Sequence, residues 1–361
     1  MRILIINTSL TGKNGISNVI FNYLRVVDHN VITFDYITKK EPEKFYIEEV
    51  ERYGGHVYVL PRDKKNLIKN FINYIRIVKA GKYHAVHIHT SSHTSVYELI
   101  VTFLAGCKNR IVHSHNTECN SVIVHKLLTP VFRLLCTHRL ACGCDAGRWM
   151  FGTDSFTVLN NGVDTNIFAF NPDVRANMRI DHGKADIIIG HVGTFNKAKN
   201  QSFLVEVFNS LRKKNLNYKL VMIGDGAMRE KVEEQVNSYG LSDSVVFTGN
   251  VDNVEDYLNM MDIIVMPSLY EGLPLTLIEQ QANGLQCICS DSITNEVDKT
   301  GNLFFLPLNK GADFWAEFIH NVDLDKNRQF TSQKAVMDIK SKGYSIQEEG
   351  KKLTSYYKSL S

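Results

Sequence analysis

Residues 262–284 read DIIVMPSLYEGLPLTLIEQQANG, a segment with the pattern of a strand, a loop and a helix in that order. The continuous apolar run DIIVMPS predicts a buried strand that ends near Ser268. Pro274 fits the first turn of a helix, where its missing N–H has no partner to lose. Gly284 fits the position at which a helix stops. A buried strand followed closely by a helix is the repeating unit of parallel α/β sheets.

The same unit recurs along both halves of the chain. In the first half the strand-like runs are RILIINT, VITFDYI, HVYVLP, HAVHIHT, RIVHSH and RLACG. After a polar stretch, AFNPDVRANMRIDHGKAD, new strands follow as IIIGHVGT, KLVMIGDG, VVFTG, DIIVMPS and QCICSDS. This alternation predicts an α/β protein with two doubly wound parallel-sheet domains of Rossmann type, joined near residues 165–185.

Length and composition limit the classes of function. The 361 residues suffice for two domains, and the net charge of +3 creates no strong field for nucleic acid. The N-terminus MRILIINTSL starts directly as a strand, without the pattern of a signal peptide, and no run of about 18 apolar residues occurs. We therefore expect a cytoplasmic chain without a transmembrane helix and without a nucleic-acid partner.

The chain has seven cysteines, an odd number, and no CxxC pair. In a chain without an export signal this favours free thiols in a reducing compartment. Cys287 and Cys289 lie two positions apart in QCICSDS, so we expect both on one face of a strand and packed in the core.

Two glutamates frame the helix start, with Glu271 in the loop and Glu279 inside the helix. Eight helical residues would rise about 12 Å, whereas the carboxyl pairs of glycosidases lie about 5–9.5 Å apart, which argues against an acid/base pair. Free N–H groups near Leu275 and Thr276, together with the helix dipole, favour an anion between the two carboxylates. A nucleotide-sugar fits, with sugar hydroxyls on Glu271, diphosphate at the helix start and ribose on Glu279. The alternative is a capping glutamate and a solvated glutamate on an ordinary helix.

The segment EGLPLTLIE, from Glu271 to Glu279, resembles the E-x7-E motif of retaining family-4 glycosyltransferases with the GT-B fold. Similar segments follow the family's order along nearly the whole chain: Asn161-Gly162-Val163-Asp164 with Phe168, Gly190-His191-Val192-Gly193 with Lys199-Asn200, Gly224-Asp225-Gly226, and Phe247-Thr248-Gly249. By resemblance the nearest relatives are bacterial capsule and exopolysaccharide glycosyltransferases.

The resemblance implies a GT-B architecture of two Rossmann-like domains that face a central cleft. Residues 1–165 would form the N-terminal acceptor-binding domain and residues 166–340 the nucleotide-sugar-binding domain. The C-terminal helix within residues 341–361 would cross back onto the N-terminal domain, and closure of the domains would exclude water.

The family's site residues carry over onto matching positions of this sequence. The resemblance implies catalytic roles for His113, Glu271 and Lys199, with His113 touching the sugar near the reacting carbon and His115 as the second choice. Lys199 would neutralise the diphosphate, the glycine loop after the first strand would approach the phosphate, and residues 248–251 would face the nucleobase. The implied donor-binding residues are Gly12, Gly15, Thr194, Lys199, Gly226, Thr248, Asn250, Val251, Glu271, Gly272, Leu273, Pro274, Leu275, Thr276 and Glu279.

One position departs from the family pattern. The phosphate loop of the family usually carries an arginine after its glycine, in the order GRF, whereas this chain has Gly193-Thr194-Phe195. One cation is therefore missing from the leaving-group site. Lys197 or the loop at Gly12 and Gly15 would have to compensate, or the donor binds differently.

We expect no metal and no cofactor. The only DxD sequence, Asp323-Leu324-Asp325, lies late in the chain in a polar stretch and is interpreted as surface charge. His87 and His89, with His113 and His115, have the i, i+2 spacing that can bind zinc. The preferred interpretation is that one histidine of each pair packs in the core and the other faces the cleft.

The sequence favours a retaining, metal-independent hexosyltransferase that uses a nucleotide-diphosphate sugar, with UDP preferred by family habit. The acceptor would be a hydroxyl of a glycan or of a lipid-linked glycan, in bacterial surface polysaccharide synthesis. Two alternatives stay open. One is a GT-B relative with other chemistry, such as a phosphorylase or a nucleotide-sugar epimerase, and the other is a non-catalytic sugar-nucleotide-binding protein.

Residues 62–82 read RDKKNLIKNFINYIRIVKAGK and combine a basic composition with an apolar stripe. Such a helix either packs its stripe on the sheet or rests on an anionic membrane. Because related enzymes act on lipid-linked acceptors, we hypothesise peripheral contact with the inner face of the cytoplasmic membrane through this segment.

Overall fold

The structure is a computed structural model, and it describes residues 1–10, 15–61, 67–119, 121–181, 187–214 and 217–360. It divides into two units. Unit 1 comprises Met1–Gly162 and Ile346–Ser361, and unit 2 comprises Val163–Ser345. Each unit is built around one parallel sheet of Rossmann type, as in the GT-B class.

Unit 1 contains a seven-stranded parallel sheet in the order β3-β2-β1-β4-β5-β6-β7. Its strands are β1 Arg2–Asn7, β2 Thr33–Thr38, β3 Val57–Val59, β4 Ala85–Thr90, β5 Arg110–Ser114, β6 His138–Ala141 and β7 Thr157–Val158. The helices of this unit's first segment are α1 Gly15–Val26, α2 Lys44–Arg52, α3 Leu67–Gly81, α4 Val96–Leu104, α5 Val122–Leu135 and α6 Cys144–Phe151. A short 3-10 turn, His93–Ser95, precedes α4.

Unit 2 contains a six-stranded parallel sheet in the order β10-β9-β8-β11-β12-β13. Its strands are β8 Ile187–Val192, β9 Tyr218–Ile223, β10 Val245–Gly249, β11 Ile263–Met266, β12 Gln286–Ser290 and β13 Leu303–Leu306. The helices are α7 Pro172–Asp181, α8 Gln201–Lys214, α9 Arg229–Ser238, α10 Val254–Met260, α11 Leu275–Ala282, α12 Gly311–Asn321 and α13 Arg328–Ser341. Short 3-10 turns lie at Ser242–Ser244, Asn295–Val297 and Leu308–Lys310.

Two hydrophobic cores lie on opposite faces of the sheet in unit 2. Leu220 and Met222 of β9 belong to one core, while Val221 and Ile223 belong to the other. Alternating side chains of a strand point to opposite faces, so both faces of this sheet are covered. The predicted continuous apolar strands are therefore confirmed as strands buried on both sides.

The paired cysteines of β12 also follow this alternation. Cys287 and Cys289 are free, buried and in the same core, while Ile288 between them packs in the other. The prediction of two core thiols on one strand face is confirmed. Burial raises the pKa of both thiols, to about 12 for Cys289.

The eleven strands that the sequence predicts are all present, but β7 and β13 were not predicted. β7 has only two residues, and the apolar run LFFL of β13 follows β12 with only short turns between them. Both are edge strands, and each pairs with a single neighbour.

The last helix, α14 Ile346–Lys358, packs against α1 in unit 1. Its fully buried Tyr357 places its hydroxyl 2.6 Å from Nδ1 of His87. The Glu349 carboxylate accepts a hydrogen bond from the backbone N–H of Asn160 at 2.9 Å. A Cβ on Gly350 would lie 2.6 Å from Cγ2 of Val26, so glycine permits this close approach. Within the described residues, none of the helices is long and apolar enough to span a bilayer.

Candidate functional site

The strand order of unit 2 reverses at β8. From β8 the chain runs outward through β9 and β10 on one side, and then returns to β11, which pairs with the other side of β8. In doubly wound sheets ligands bind at the carboxyl ends of the strands beside such a switch point. The loops after β8 and β11 therefore lie where a ligand of this unit is expected to bind.

These two loops are tied together by backbone and side-chain contacts. The N–H of Leu269 donates to the carbonyl of Ala198 at 2.7 Å, and Nδ2 of Asn200 donates to the carbonyl of Pro267 at 3.1 Å. Between these two anchors, Nζ of Lys199 lies 2.8 Å from Oε1 of Glu271 as an ion pair. Both side chains are about 15% exposed, so the pair is screened from most solvent but reachable by a ligand.

The helix after this loop begins at Leu275, and Pro274 is its N-cap. Pro274 has no backbone N–H, and it makes no side-chain hydrogen bond that would cap the helix. The Oγ1 atom of Thr276 is buried and has no hydrogen-bond partner in the described part of the chain. Free donors at the positive end of a helix form a site for an anion.

Glu279 lies one turn further along α11, about 6 Å of helical rise from Leu275. Burial, and then the charge of Glu255, raises the pKa of Glu279 to about 7. This partly buried carboxyl therefore differs from the solvated surface glutamate that was the alternative interpretation. Hydroxyl donors from a ligand would favour its charged form. Gly284 follows α11 with φ of +76°, so the predicted helix stop is confirmed.

Glycine allows the loops after β8 and β9 to approach closely. Gly224 has φ of +127°, and a Cβ at this position would lie 2.3 Å from the carbonyl oxygen of Gly193. The N–H of Gly224 donates to the carbonyl of Gly249 at 2.8 Å, and that of Phe195 donates to the carbonyl of Asp225 at 3.0 Å. The three loops after β8, β9 and β10 thus form one hydrogen-bonded surface.

Replacing Gly224 by alanine should therefore disturb this surface. The positive φ costs about 1–2 kcal/mol of folding free energy for a residue with a Cβ, and relief of the clash must move the loop that carries Thr194. We expect a lower melting temperature and weaker binding of the nucleotide-sugar, measured by thermal unfolding and calorimetry. Gly240→Ala is the matched control, because Gly240 also has a positive φ, of +67°, but a Cβ there meets no atom within 4 Å, so binding should not change. Equal effects from the two substitutions would contradict this account.

Thr194 is exposed, and its carbonyl accepts a hydrogen bond from Nε2 of Gln201 at 3.0 Å. Nε2 of Gln201 also lies 3.3 Å from Nε2 of His191, and Nδ1 of His191 lies 2.9 Å from the carbonyl of Val265. Burial lowers the pKa of His191 to about 4, so this ring is neutral. A neutral hydrogen-bonded network thus supports the loop at the position where the family carries a cation.

Two other cations lie in or beside these loops. Lys197 is exposed. Arg229, at the first position of α9, pairs with Glu233 at 2.7 Å and with Asp225 at 3.8 Å. Its guanidinium lies 5.9 Å from the ring centroid of Phe247. The sequence analysis did not select Arg229. Its position three residues after Gly226 could have identified it as a cation near the nucleotide-side loop.

The remaining predicted donor residues lie around the same loops. The hydroxyl of Thr248 donates to the carbonyl of Gly249 at 2.9 Å, and Asn250 is exposed. Val251 and Leu273 pack against the core of this unit. Gly226 has φ of +158° and would place a Cβ 2.4 Å from the carbonyl oxygen of Phe195.

Arg328, at the start of α13, holds the C-terminal ends of α10 and α11 and was not selected from the sequence. Its guanidinium donates to the carbonyls of Leu258, Asn259, Met261 and Asn283 and to the side chain of Asn283. It also lies over the ring of Phe170 at 4.6 Å. Burial, and then repulsion by Arg175, lowers the pKa of Arg328 to about 9. Helix ends expose unpaired carbonyls, and this cation satisfies them and fixes the far end of α11.

In unit 1 the predicted glycine loop is only partly described. Gly12 lies outside the described residues. Gly15 begins α1, is exposed, and would place a Cβ more than 4 Å from other atoms. The described structure thus offers no steric reason for glycine at position 15.

Four histidines cluster at the ends of β4 and β5. His87, His89 and His113 are buried, while His115 is half-buried. As expected for one histidine of the β5 pair, His113 packs in the core, whereas in the β4 pair both His87 and His89 are buried. In the part of the chain that the structure describes, neither ring nitrogen of His113 has a well-formed hydrogen bond, although the backbone of Leu159 lies near enough to favour its protonation weakly. His115, the second choice from the sequence, is the member with exposed surface.

The geometry of the cluster favours packed neutral rings over a metal centre. His87, His89 and His113 each offer a nitrogen within 4.8 Å of the others, a grouping that could hold an ion. However, the rings of His87 and His89 stack at 4.3 Å and 22°, and those of His87 and His113 stack at 5.3 Å and 16°. The lone pair of an imidazole lies in the ring plane, so stacked rings direct their lone pairs side by side and not toward a common point.

Burial of this cluster should make stability depend on pH. Burial lowers the pKa of His87 and of His115 from 6.5 to about 3, and lowers the pKa of His89 and His113 well below 6.5. The unfolded chain then binds more protons, so stability is fully present above pH 6.5 and falls as the pH drops toward 3. We expect a loss of about 1–2 kcal/mol per imidazole between pH 7 and pH 5, measured by urea unfolding.

His113→Leu tests this account of the pH dependence. The substitution removes no well-formed hydrogen bond, so stability at pH 7 should stay the same or rise. The slope of the unfolding free energy against pH should decrease by the equivalent of about one bound proton, which is about 1.4 kcal/mol per pH unit. An unchanged pH dependence in this variant would show that these imidazoles are not the titrating groups.

The helix predicted within residues 62–82 is observed as α3, and residues 62–66 lie outside the described residues. Tyr74 and Val78 are buried, and Phe71 and Ile75 pack against the same core. Of the predicted stripe, Phe71 and Ile75 therefore pack on the core, while Ile68 and Ile72 stay exposed, at 79% and 43%, and the side chain of Leu67 lies outside the described part of the structure.

Comparison with known proteins agrees with this arrangement. Residues 174–299 match the family model described as glycosyl transferases group 1. A chain of Bacillus subtilis (strain 168) that carries the name glycosyltransferase EpsF is 35% identical over 328 residues, which cover 86% of this chain and 85% of the relative. An Escherichia coli chain named UDP-Gal:alpha-D-GlcNAc-diphosphoundecaprenol alpha-1,3-galactosyltransferase is 28% identical over 241 residues, 62% of each chain.

Among solved structures, Anabaena Alr3699/HepE in complex with UDP and glucose has a TM-score of 0.78 to this chain. The match covers 100% of both chains at 14% sequence identity. At that identity the likeness shows the fold alone, and it confirms the predicted architecture of two Rossmann-like domains.

Proposed function

The chain belongs to the glycosyl transferases of group 1, and from that premise we propose that it transfers a sugar from a UDP-sugar to a hydroxyl of a lipid-linked glycan. The observation that carries this proposal is the pair of Lys199 and Glu271, held by the loops after β8 and β11 next to the free helix start at Leu275. A cation, a carboxylate and helix N–H donors in one place suit a phosphorylated sugar.

In the proposed complex the diphosphate binds at Lys199 and at the start of α11. The ion pair of the free protein then opens, because Lys199 takes the phosphate as its partner and Glu271 accepts hydroxyls of the sugar. Glu279 accepts the ribose hydroxyls. The nucleobase lies against residues 248–251, where Thr248 lies near the end of β10 and Asn250 and Val251 follow the strand.

The choice of donor and acceptor rests on sequence relatives. The Escherichia coli relative is named for a UDP-Gal donor and for an acceptor sugar on diphosphoundecaprenol. We extend this class of donor and acceptor to the present chain and assign it to the synthesis of bacterial surface polysaccharide, at the cytoplasmic face of the membrane.

The proposed reaction retains the configuration at the anomeric carbon. The bond between that carbon and the leaving phosphate oxygen breaks, and the acceptor oxygen bonds to the same face of the sugar. A phosphate oxygen of the leaving group receives the acceptor proton, and UDP departs. Lys199 and the N–H groups at Leu275 and Thr276 stabilise the charge that develops on the phosphate, which is the role that a metal ion has in other transferases.

On the acceptor side, the exposed surface of His115 makes it a better candidate than His113 for contact with the reacting sugar. His113 is 0% exposed and would reach a ligand only after rearrangement of the ring cluster.

A panel of nucleotide-sugars tests the proposal. The purified chain should be stabilised against heat by one UDP-sugar, and with an undecaprenol-diphosphate-linked acceptor it should release UDP and form a retained glycoside, identified by mass spectrometry and NMR. The rate should not change with EDTA. Phosphate-dependent release of a sugar phosphate, isomerisation of the donor, or binding without turnover would each refute the proposal in favour of a phosphorylase, an epimerase or a non-catalytic binding protein.

A further inference from the structure

The outer face of α5 in unit 1 is apolar and uncovered. Six of its fourteen side chains are both apolar and exposed, between 40% and 80%: Val122, Ile123, Val124, Leu127, Val131 and Leu134. The opposite face packs into unit 1 through His125, Phe132 and Leu135. α5 is thus apolar on both faces, whereas an ordinary surface helix presents polar residues to water.

The exposed side chains form one continuous surface. Ile123, Leu127, Val131 and Leu134 follow one another at helical spacings of four, four and three, so they lie along one stripe. The neighbouring helix α4 ends with Phe103 and Leu104, which are 54% and 52% exposed. Arg110 links this end to α5, because its guanidinium lies 5.3 Å from the ring centroid of Phe103 and donates to the carbonyl of Leu135. Isolated exposed apolar residues are common, but contiguous patches mark interaction surfaces.

The charges around this surface are positive. α5 contains Lys126 and Arg133, both exposed, and no acidic residue, while Lys108 is exposed just after Leu104. Arg133 pairs with Asp154 at 3.3 Å, and Glu118 precedes the helix. The occupant of this face therefore meets apolar side chains bordered by cations.

We propose that the exposed face of α5, with Phe103 and Leu104, lies on an anionic lipid bilayer. A helix that rests in the interface of a membrane needs an apolar face and flanking cations, and α5 has both. At 14 residues α5 is about 21 Å long, too short to cross a hydrocarbon core of about 30 Å. Lys126 can extend its ammonium toward lipid phosphates while its methylene groups stay among the acyl chains.

A second copy of the chain fits this face less well. In a symmetric dimer the same patch faces itself, so Lys126 and Arg133 would approach their own copies without an acidic residue on α5 to pair with them. The cores of protein interfaces are also depleted of lysine. Charge complementarity thus favours lipid phosphates.

This assignment moves the membrane contact from the basic helix that the sequence suggested to a different one. Among the described side chains of α3, Ile68 and Ile72 are the large apolar ones left exposed, since Phe71, Tyr74, Ile75, Ile77 and Val78 serve the core. The inference does not depend on the proposed transfer reaction, although it would bring the enzyme to a lipid-linked acceptor. Vesicle binding can therefore fail or succeed independently of activity.

Cosedimentation with vesicles tests the assignment on the full chain. We expect binding to vesicles of phosphatidylcholine and phosphatidylglycerol, and a partition coefficient at least about 100-fold lower for I123S/L127S/L134S. Lys126→Glu should weaken binding to the anionic vesicles about tenfold. The control F330S/M337S removes two equally exposed apolar side chains from α13 in unit 2 and should bind like the wild type. Circular dichroism and thermal unfolding verify that each variant is folded.

Four results would overturn the assignment. Two concern the proposed helix itself: wild-type protein that stays in the supernatant with these vesicles, or undiminished binding by the triple variant. The other two point elsewhere: loss of binding in I68S/I72S but not in the triple variant, or a wild-type dimer that the triple variant abolishes while neither protein binds lipid. Transfer to a water-soluble acceptor should be equal in the wild type and the triple variant. This separates loss of membrane binding from failure of the proposed function.

Discussion

Lys199→Ala should lower kcat/KM for sugar transfer by about 100- to 1000-fold while the protein stays folded. Charge develops on the leaving diphosphate as the glycosidic bond breaks, and Lys199 is the cation that pairs with Glu271, four residues before the first residue of α11. Loss of one fixed charge at the leaving group is equivalent to about 2.7–4 kcal/mol of transition-state stabilisation. The measurement is initial-rate kinetics of UDP release, with donor affinity determined separately by calorimetry.

Matched variants make this result specific. Lys197→Ala removes an exposed, solvent-screened cation from the same loop and should change kcat/KM by no more than about twofold, a result that would exclude Lys197 as the substitute for the missing arginine. Lys199→Arg should recover part of the rate, because it restores the charge but not the geometry. Glu271→Gln should also lower the rate, since an amide both donates and accepts and holds hydroxyls less well than a carboxylate. If Lys199→Ala and Lys197→Ala were equally active, Lys199 would not be the cation at the leaving group.

Arg328→Ala should destabilise unit 2 by about 3–5 kcal/mol. The substitution leaves the carbonyl and side-chain oxygens of Asn283 without the donor that satisfies them, and it empties the space over Phe170. It also removes one of two hydrogen bonds at the carbonyls of Leu258 and Met261, which keep bonds from the N–H of Met261 and from Arg175. Each buried acceptor left unpaired costs about 1–3 kcal/mol. The effect is much larger than for a surface cation because the guanidinium forms bonds to several segments at once.

The two tryptophans of the chain allow a direct measurement. Trp149 lies in unit 1 and Trp315 is fully buried in unit 2, so a Trp149→Phe background reports the unfolding of unit 2 alone. In urea titrations Arg328→Ala should shift the midpoint strongly. Lys214→Ala, which removes a surface pair with Glu317, should change stability by less than about 1 kcal/mol. Similar shifts in both variants would show that the Arg328 bonds contribute little.

Much of the fold could be predicted because strand and helix signals are local. Continuous apolar runs such as RILIINT and IIIGHVGT, separated by helical patterns, predict buried parallel strands without knowledge of their neighbours. The missed strands, β7 and β13, lie at sheet edges. β7 has only two residues, whereas β13 has four, as many as the predicted β6 and β11, so length alone does not explain why β13 was missed. Their pairing with a longer neighbour, not their own sequence, makes them strands.

The candidate donor site was predictable to a similar degree. The strand, the loop with Glu271, Pro274 at the helix start and Gly284 at its end are contiguous in sequence, so their chemistry is local. The histidines were not, because His87 and His89 have the same spacing as His113 and His115 but a different exposure. Tyr357 of α14 contacts His87 across 270 residues of sequence, and no local pattern contains that contact.

The sequence by itself determined the two parallel α/β units, the loop and helix that carry the two glutamates, and the membership of a glycosyltransferase family. These follow from periodicity and from motifs of a few adjacent residues. Only the tertiary structure decided that Lys199 pairs with Glu271, that Arg328 holds the ends of α10 and α11, and that the apolar face of α5 is uncovered. Burial, ion pairing and exposure depend on contacts between segments that are distant in sequence, and the packing of the whole unit determines those contacts.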